Sequence, residues 1–468
     1  MVRWVTLLVA MVGVRAWAAK PNVVFVIADQ WRACSTGYAG DPNVKTPNLD
    51  RLESQSVDFT HAVSACPVCT PFRASMQTGQ RATTHGLFIN DTHLDDNATT
   101  VAKVLKAAGY DTGYIGKWHI GGRGRLSYIP PECRQGFDYW KVMECTHNYN
   151  HSFYYAGDSK ERLLWPGYDA AAQTQDAIGY VREHAKGQKP FTLFLAWGPP
   201  HNPYEQAPAE FKKMYDASKI VLRPNVPQNV AEKSRKELAA YYANCTALDQ
   251  YLGQLWEALK EAGIEKNTVL VFTSDHGDMI GSHQMIRKQK PWDEALRTPM
   301  LWHFPAGLGE GGKRVDAVMS SEDLMPTLLG LCGVEIPKTV EGLDYSGYMK
   351  GGENPNASDA ALIECVAPFG EWHRGVGGRE FRGVRTVRYT YVRDLNGPWL
   401  LYDNEKDPYQ MENLVGRPET KDIQAKLEGV LKEKLAAAHD DFKPASYYLD
   451  KWGYTPHLDK TGTLPTKP

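Results

Sequence analysis

The residues able to do chemistry fall in short polar clusters, most of them at the ends of apolar runs. Cys69-Thr70-Pro71-Phe72-Arg73 is the most informative cluster. A cysteine just before a helix start can have its thiolate stabilised by the helix dipole, although an arbitrary cysteine is more often a small core residue. Arg73 follows four residues later, one turn away on a helix beginning at Cys69, where it can offset negative charge. Cys66 and Cys69 form a C-x-x-C, the pattern of a redox pair or half a zinc site. The sequence holds no second C-x-x-C, which argues against zinc. Asp29-Gln30, Lys117 with His119, His201, and Asp275-His276 each follow an apolar run. Singly, these read as helix caps, turn residues or solvated side chains. Lys288 lies in the charged run Lys288 to Glu294 (KQKPWDE), which by itself reads as a solvated loop.

The elements around these residues explain why they belong together. Asn22–Ala28 is an almost unbroken β-branched and apolar run, as in a strand buried on both faces. Tyr110–Ile115, Phe191–Trp197 and Thr268–Thr273 read as further strands. Thr99 or Thr100 caps a helix with Val101, Val104, Leu105 and Ala108 on one face. Ala231–Ala262 is a long amphipathic helix ending at Gly263. This alternation predicts an α/β fold with a large doubly wound sheet flanked by helices over residues 20–350. Ligands in such folds bind beyond the carboxyl ends of the strands, which is where Asp29, Lys117, His119, His201, Asp275 and His276 fall. Residues 351–468 change character and predict a smaller α+β domain with an antiparallel sheet. It comprises a strand over Thr386–Arg393, another over Trp399–Tyr402 and a helix over Ile423–Ala438. From about Pro444 onward no strong pattern is present.

Composition narrows the setting. The 468 residues are 42% hydrophobic and 23% charged with a formal net charge of −2, ordinary for a soluble protein and without the basic tract of a nucleic-acid or anionic-membrane binder. Residues 1–19 read as an export signal. Arg3 precedes a short apolar run from Trp4 to Val14, and Ala16-Trp17-Ala18 has cleavage spacing. No segment is long and apolar enough to span a bilayer. The expected location is therefore secreted or periplasmic. Eight cysteines are too few for a disulfide scaffold, although export permits one or two bridges.

C-x-P-x-R followed by Thr78-Gly79 resembles the signature of the formylglycine-dependent sulfatases of the alkaline phosphatase superfamily, with Phe72 where a serine is usual. Gly116-Lys117-Trp118-His119 and Pro199-Pro200-His201 resemble two further sulfatase elements. So do Thr46-Pro47-Asn48-Leu49-Asp50, Gly136-Phe137-Asp138 and Leu401-Tyr402-Asp403. The likeness runs from about residue 21 to 415. It implies an alkaline-phosphatase-like fold and a formylglycine at position 69, made by a formylglycine-generating enzyme or an anaerobic maturase. It also implies a cation bound by Asp29, Gln30, Cys69, Asp275 and His276. Gln30 replaces a more usual acid but keeps an amide oxygen ligand. A mainly oxygen site favours Ca2+, with Mg2+ next, over zinc. Arg73 would hold the formylglycine oxygen. Lys117 would neutralise sulfate, His119 would act as base, and His201 and Lys288 would bind sulfate and assist the leaving alcohol. Lys290 competes with Lys288 for that role.

A hydrated aldehyde suits the task because it carries two hydroxyls on one carbon. One takes the sulfuryl group from the alcohol, and loss of a proton from the other expels sulfate. The alternatives are a phosphonate or phosphate ester hydrolase of the same superfamily, and an inactive glycan-binding protein with unmodified Cys69. A sulfated carbohydrate is the expected substrate. The 13 Trp and 24 Tyr, and the stretch Trp372-His373-Arg374 with Arg379, are consistent with an anionic glycan. That stretch could equally fix the interface between the domains.

Overall fold

The computed structural model describes residues 20–465, so the export signal expected over residues 1–19 lies outside the described residues. Ten strands form one mixed sheet: β1 (Asn22–Asp29), β2 (Val57–Val63), β3 (Asp111–Lys117), β4 (Tyr139–Met143), β5 (Phe153–Ala156), β6 (Leu163–Leu164), β7 (Phe191–Pro200), β8 (Thr268–Ser274), β9 (Met300–His303) and β10 (Lys313–Ser320). Their order is β10-β2-β9-β8-β1-β7-β3-β4-β5-β6. The central run β8-β1-β7-β3-β4 is parallel, while β9, β5 and β6 pair antiparallel with their neighbours. β1 and β7 are covered on both faces, which is why their sequences carry apolar side chains at successive positions. One face packs against the helices Asp169–His184 and Ala231–Glu261. On the other, Phe25 stacks on Phe194 at 4.8 Å within a second apolar layer.

A second, antiparallel sheet runs β11 (Ala360–Cys365), β12 (Phe381–Thr386), β13 (Tyr389–Asp394) and β14 (Gly397–Asp403), covered by the helix Lys421–Ala437. The single strand expected over Thr386–Arg393 is in fact the end of β12, a tight turn at Val387-Arg388, and β13. The Thr386 hydroxyl makes the turn, accepting from the Tyr389 N–H at 2.7 Å. Thr100 occupies the expected cap position of the Val101–Ala107 helix, but its hydroxyl donates to the Gln135 carbonyl oxygen (2.7 Å) instead of capping. The apparently patternless end of the chain folds into a helix over Ala445–Lys451. Among the described residues all eight cysteines are free thiols, and no helix is long and apolar enough to cross a membrane.

The two sheets are joined at the loops that carry the site. Arg385 of β12 grips both carboxylate oxygens of Asp293 at 2.8 Å each, and Glu364 N donates to Ala65 O at 2.8 Å. At the close of β3, Gly116 has φ +103°, and a Cβ there would lie 2.1 Å from the Ala196 carbonyl oxygen of β7. Gly116→Ala therefore combines a disfavoured backbone with a main-chain clash. It is expected to cost about 2–4 kcal/mol of stability and to displace Lys117. Urea unfolding measures the loss, and one below about 0.5 kcal/mol would show that β3 and β7 separate easily here.

Candidate active site

Strand register places the first residues of the site. β1 pairs with β8 so that Ala28 faces Ser274, and with β7 so that Asp29 faces Pro200. One residue further along, Asp275 and His201 lie on either side of Asp29. β3 ends on Lys117, whose ammonium pairs with Asp29 Oδ2. The Cys69–Thr78 helix, buried along its whole length, begins at the cysteine. Arg73, one turn on, donates to Asp275 Oδ2 (3.1 Å), Asp29 Oδ2 (3.4 Å) and the Lys117 carbonyl oxygen (2.9 Å).

At the centre, electron-rich atoms face one another. Asp29 Oδ1, Asp275 Oδ1 and Cys69 Sγ lie 3.7, 3.6 and 3.2 Å from His276 Nε2. His276 Nδ1–H donates to the Gly277 carbonyl oxygen at 2.9 Å, so Nε2 presents a lone pair to the group. The Gln30 amide is turned with Nε2 on Asp278, and its Oε1 is buried without a partner. Two carboxylate oxygens, an imidazole lone pair, a sulfur and an unsatisfied amide oxygen nearby fit a bound cation, because a buried set of acceptors otherwise repels itself. The thiol here stands in the place a formylglycine oxygen would take.

Positive charge rings this centre. Burial pushes the Asp29 carboxyl up, but the cations Lys117, Lys288 and Arg73 outweigh it and hold the group well below the usual carboxylate range. Burial lowers the Lys117 and Lys288 ammonium groups, yet Asp29 and Cys69 keep both above the ordinary lysine value. The Cys69 thiol is pushed up to about 12, first by burial and then by Asp29. Lys288 Nζ lies 2.9 Å from Cys69 Sγ and 3.0 Å from His201 Nε2. His201 Nδ1–H is engaged by the Asn202 carbonyl oxygen (2.7 Å), so the imidazole meets Lys288 as a neutral acceptor. Burial, then Lys288, holds His201 well below the ordinary histidine value. Lys290 instead sits behind, donating to the Lys288 carbonyl oxygen and lying 4.6 Å over the Trp372 ring.

His119 joins through a separate chain of contacts. Its carbonyl oxygen accepts from Thr70 Oγ1 (2.7 Å), next to Cys69, and Thr70 N donates to Asn90 Oδ1 (3.1 Å). His119 Nε2–H donates to Asp91 Oδ1 (3.2 Å), and Asp91 is clamped by Arg125 through two bonds of 2.9 Å. His119 Nδ1 is buried and unpartnered. Asn90, Asp91, Arg125, Asp278 and His147, which stacks on His201 at 4.6 Å, escaped the sequence reading. They lie in loops with no periodicity, and only the polar pair Asn90-Asp91 within an apolar context could have drawn attention.

The expected substrate stretch is arranged differently. Trp372 is buried, and His373 Nδ1 accepts from Gly375 N (3.0 Å) within its own turn. Arg374 pairs with Glu380, and Arg379 pairs with Asp394 at 3.0 Å while covering Trp399. Both guanidinium groups meet carboxylates beside the second sheet and remain exposed to solvent.

Comparison with known proteins agrees with this geometry. The sulfatase family model matches residues 21–334, and the model of the N-sulphoglucosamine sulphohydrolase C-terminal region matches residues 281–437. An ulvan-active sulfatase of Formosa agariphila is 44% identical over 93% of this chain and 85% of its own. An endo-4-O-sulfatase of Bacteroides thetaiotaomicron is 30% identical over 85% of this chain and 88% of its own. The solved structure of the YidJ protein of Bacteroides fragilis superposes with a TM-score of 0.81 at 29% identity, covering 92% of this chain and 98% of that one. A doubly wound mixed sheet with a small antiparallel sheet behind it, and these matches across nearly the whole length, lead to one conclusion: the chain belongs to the sulfatase family of the alkaline phosphatase superfamily and is a sulfuric ester hydrolase.

Proposed function

We propose that this enzyme removes sulfate from a sulfated polysaccharide, using Cys69 converted to formylglycine and a divalent cation, Ca2+ before Mg2+. The observation that carries the reading is the meeting of Asp29, Asp275, His276 and Cys69 within one buried group ringed by Lys117, Arg73 and Lys288. The cation would be held by Asp29, Gln30, Asp275, His276 and residue 69, and would supply charge that acidifies a hydroxyl of the hydrated aldehyde. The saccharide substrate is supported by relatives named as an ulvan-active sulfatase and an N-acetylglucosamine-6-O-sulfatase.

The chain's own residues divide the remaining work. Lys117 and Lys288 lie on the side of Cys69 where the sulfuryl oxygens gain charge, and offset it in a dry setting. Arg73 keeps Asp29 and Asp275 ionised and in place. The ammonium of Lys288 is the proton source for the leaving oxygen. His201, whose own N–H faces Asn202, orients that ammonium. His119 Nδ1 is the base that takes the second hydroxyl proton when sulfate leaves, with Asp91 and Arg125 fixing its tautomer.

Two experiments test this. Purified from a host with the maturation system, the enzyme should carry an aldehyde at residue 69 by mass analysis. Chelation should lower aryl sulfate turnover by at least about 100-fold, and Ca2+ should restore it better than Mg2+. A fully active enzyme with an intact thiol would end the formylglycine reading. The second test is Asp91→Asn. Burial already lowers the His119 pKa, and Asp91 opposes that fall. Losing the carboxylate lowers it further, so the rise of activity with pH should move to more acidic values while kcat drops roughly 10–100-fold. A drop with an unmoved pH profile would leave Asp91 a merely structural part.

A further inference from the structure

Beside the catalytic group lies a cavity of about 680 Å3 that the reaction as described does not use. Its inner wall includes Asp91, the residue that holds His119, so it borders the catalytic machinery directly. His93 and Arg123 form a second wall, from the loops that follow Asp91 and His119 in sequence. The outer wall is the C-terminal segment, with Tyr454, His457 and Leu464 facing the cavity.

That outer wall is firmly built. The helix Ala445–Lys451 is fixed where Ala445 N donates to Glu380 Oε1 (2.8 Å). Tyr454 Oη donates to the Gly86 carbonyl oxygen (3.1 Å), and its ring meets Phe88 edge-on at 5.6 Å. Further along, the Thr461 carbonyl oxygen accepts from Gly370 N (3.1 Å). Gly370 follows Phe369, which exchanges two hydrogen bonds with Gln289, the neighbour of Lys288. The segment thus bridges from the residues just before the Asn90-Asp91 loop to the loop that carries Gln289 and Lys288.

The chemistry of the walls is two-sided. Tyr454 and Leu464 offer apolar surface of the kind that packs on the C–H faces of a pyranose ring. Arg123 donates to Cys133 Sγ (3.2 Å) and, among the described residues, forms no ion pair. His457 is likewise exposed and, among the described residues, free of any carboxylate partner. The one acid on the wall, Asp91, is already paired with the Arg125 guanidinium and accepts from His119, so its charge toward an anion is offset. The volume is within the roughly 300–1,000 Å3 usual for small-ligand sites, room for more than one ring.

We propose that this cavity is a saccharide subsite that takes an anionic sugar ring neighbouring the sulfated one, with Arg123 and His457 reading its charge and Tyr454 carrying the ring. The anion is a carboxylate or a second sulfate, and both present the same charged oxygens to a guanidinium. The proposal rests on the polysaccharide reading above and assigns it a location.

The test uses the full-length, aldehyde-bearing enzyme and the double variant R123A/H457A, both of whose positions are exposed. Each is assayed on a small aryl sulfate and on sulfated tetrasaccharides that retain or lack a uronate carboxylate and a second sulfate. The ratio of kcat/KM on the fully charged tetrasaccharide to that on the aryl sulfate should fall at least tenfold in the variant, mainly through KM. The wild-type enzyme should show a similar loss when the recognised anion is removed from the substrate, and the arm that shows it names the anion. A ratio unchanged within twofold overturns the subsite while leaving the polysaccharide reading intact. Aryl sulfate turnover with no desulfation of any saccharide by the wild type removes that reading and the subsite with it.

Discussion

Two carboxylates buried side by side govern this structure. Asp29 and Asp275 are both inaccessible to solvent, and both face the lone pair of His276. Taking an unpaired carboxylate out of water costs several kcal/mol. Lys117 and Arg73 are therefore required as much for the fold of the strand ends as for any reaction. The arrangement leaves the Oδ1 side without a cationic partner in the chain, because Arg73 and Lys117 reach the Oδ2 atoms while both Oδ1 atoms face His276, that of Asp29 also meeting Cys69 and that of Asp275 accepting only a backbone N–H. A divalent ion held there would complete the site and would supply positive charge to whatever oxygen occupies the position of the Cys69 sulfur.

The second, antiparallel sheet is part of this arrangement and not an appendage. Lys288 lies on a loop between β8 and β9, and a loop alone would not hold an ammonium within 3 Å of two partners. It is held by the second sheet. Gln289 is bonded to Phe369, Lys290 lies over Trp372, and Asp293 is gripped by Arg385. Arg374 and Arg379 meet Glu380 and Asp394 beside the same sheet while their side chains stay exposed to solvent. Tyr454 and Thr461 of the terminal segment then close over Phe88 and Gly370.

Much of this was legible in the residues. Of the central parallel strands, β1, β3, β7 and β8 announce themselves through their apolar runs, and their ends name Asp29, Lys117, His201 and Asp275, whereas the short β4, interrupted by Lys141, does not. The outer strands escaped. β9 and β10 lie outside the parallel core, and β5 and β6 are too short to show a period. The turn at Val387-Arg388 was hidden because the alternation of side chains continues straight through it and no glycine, proline or asparagine marks it. The terminal segment was unreadable for a different reason. Its apolar residues Tyr448, Trp452, Tyr454, Leu458 and Leu464 follow no regular spacing, since they pack on a partner surface around Phe88 nearly 400 residues away.

The backbone around the site shows why so much support is needed. Gln30, Asp91, His119, Arg287 and Gln289 all adopt φ between 60° and 70°, a region that costs a side-chain-bearing residue about 1–2 kcal/mol and that glycine enters freely. Glycine is absent from these positions because each side chain is in use. Gln30 bonds Asp278, Asp91 clamps His119 and Arg125, Arg287 meets Tyr204, and Gln289 ties Lys288 to the second sheet. The turned backbone is in use as well, since it directs Gln30 N–H onto Asp275 Oδ1 at 3.0 Å. Five strained residues would together unsettle an isolated loop. Here every one is pinned by a side-chain bond to a different element, so the strain is carried by the packing of the whole molecule. The catalytic loops are in that sense as rigid as the strands that precede them, which is the condition for holding like charges a few ångströms apart until a substrate arrives.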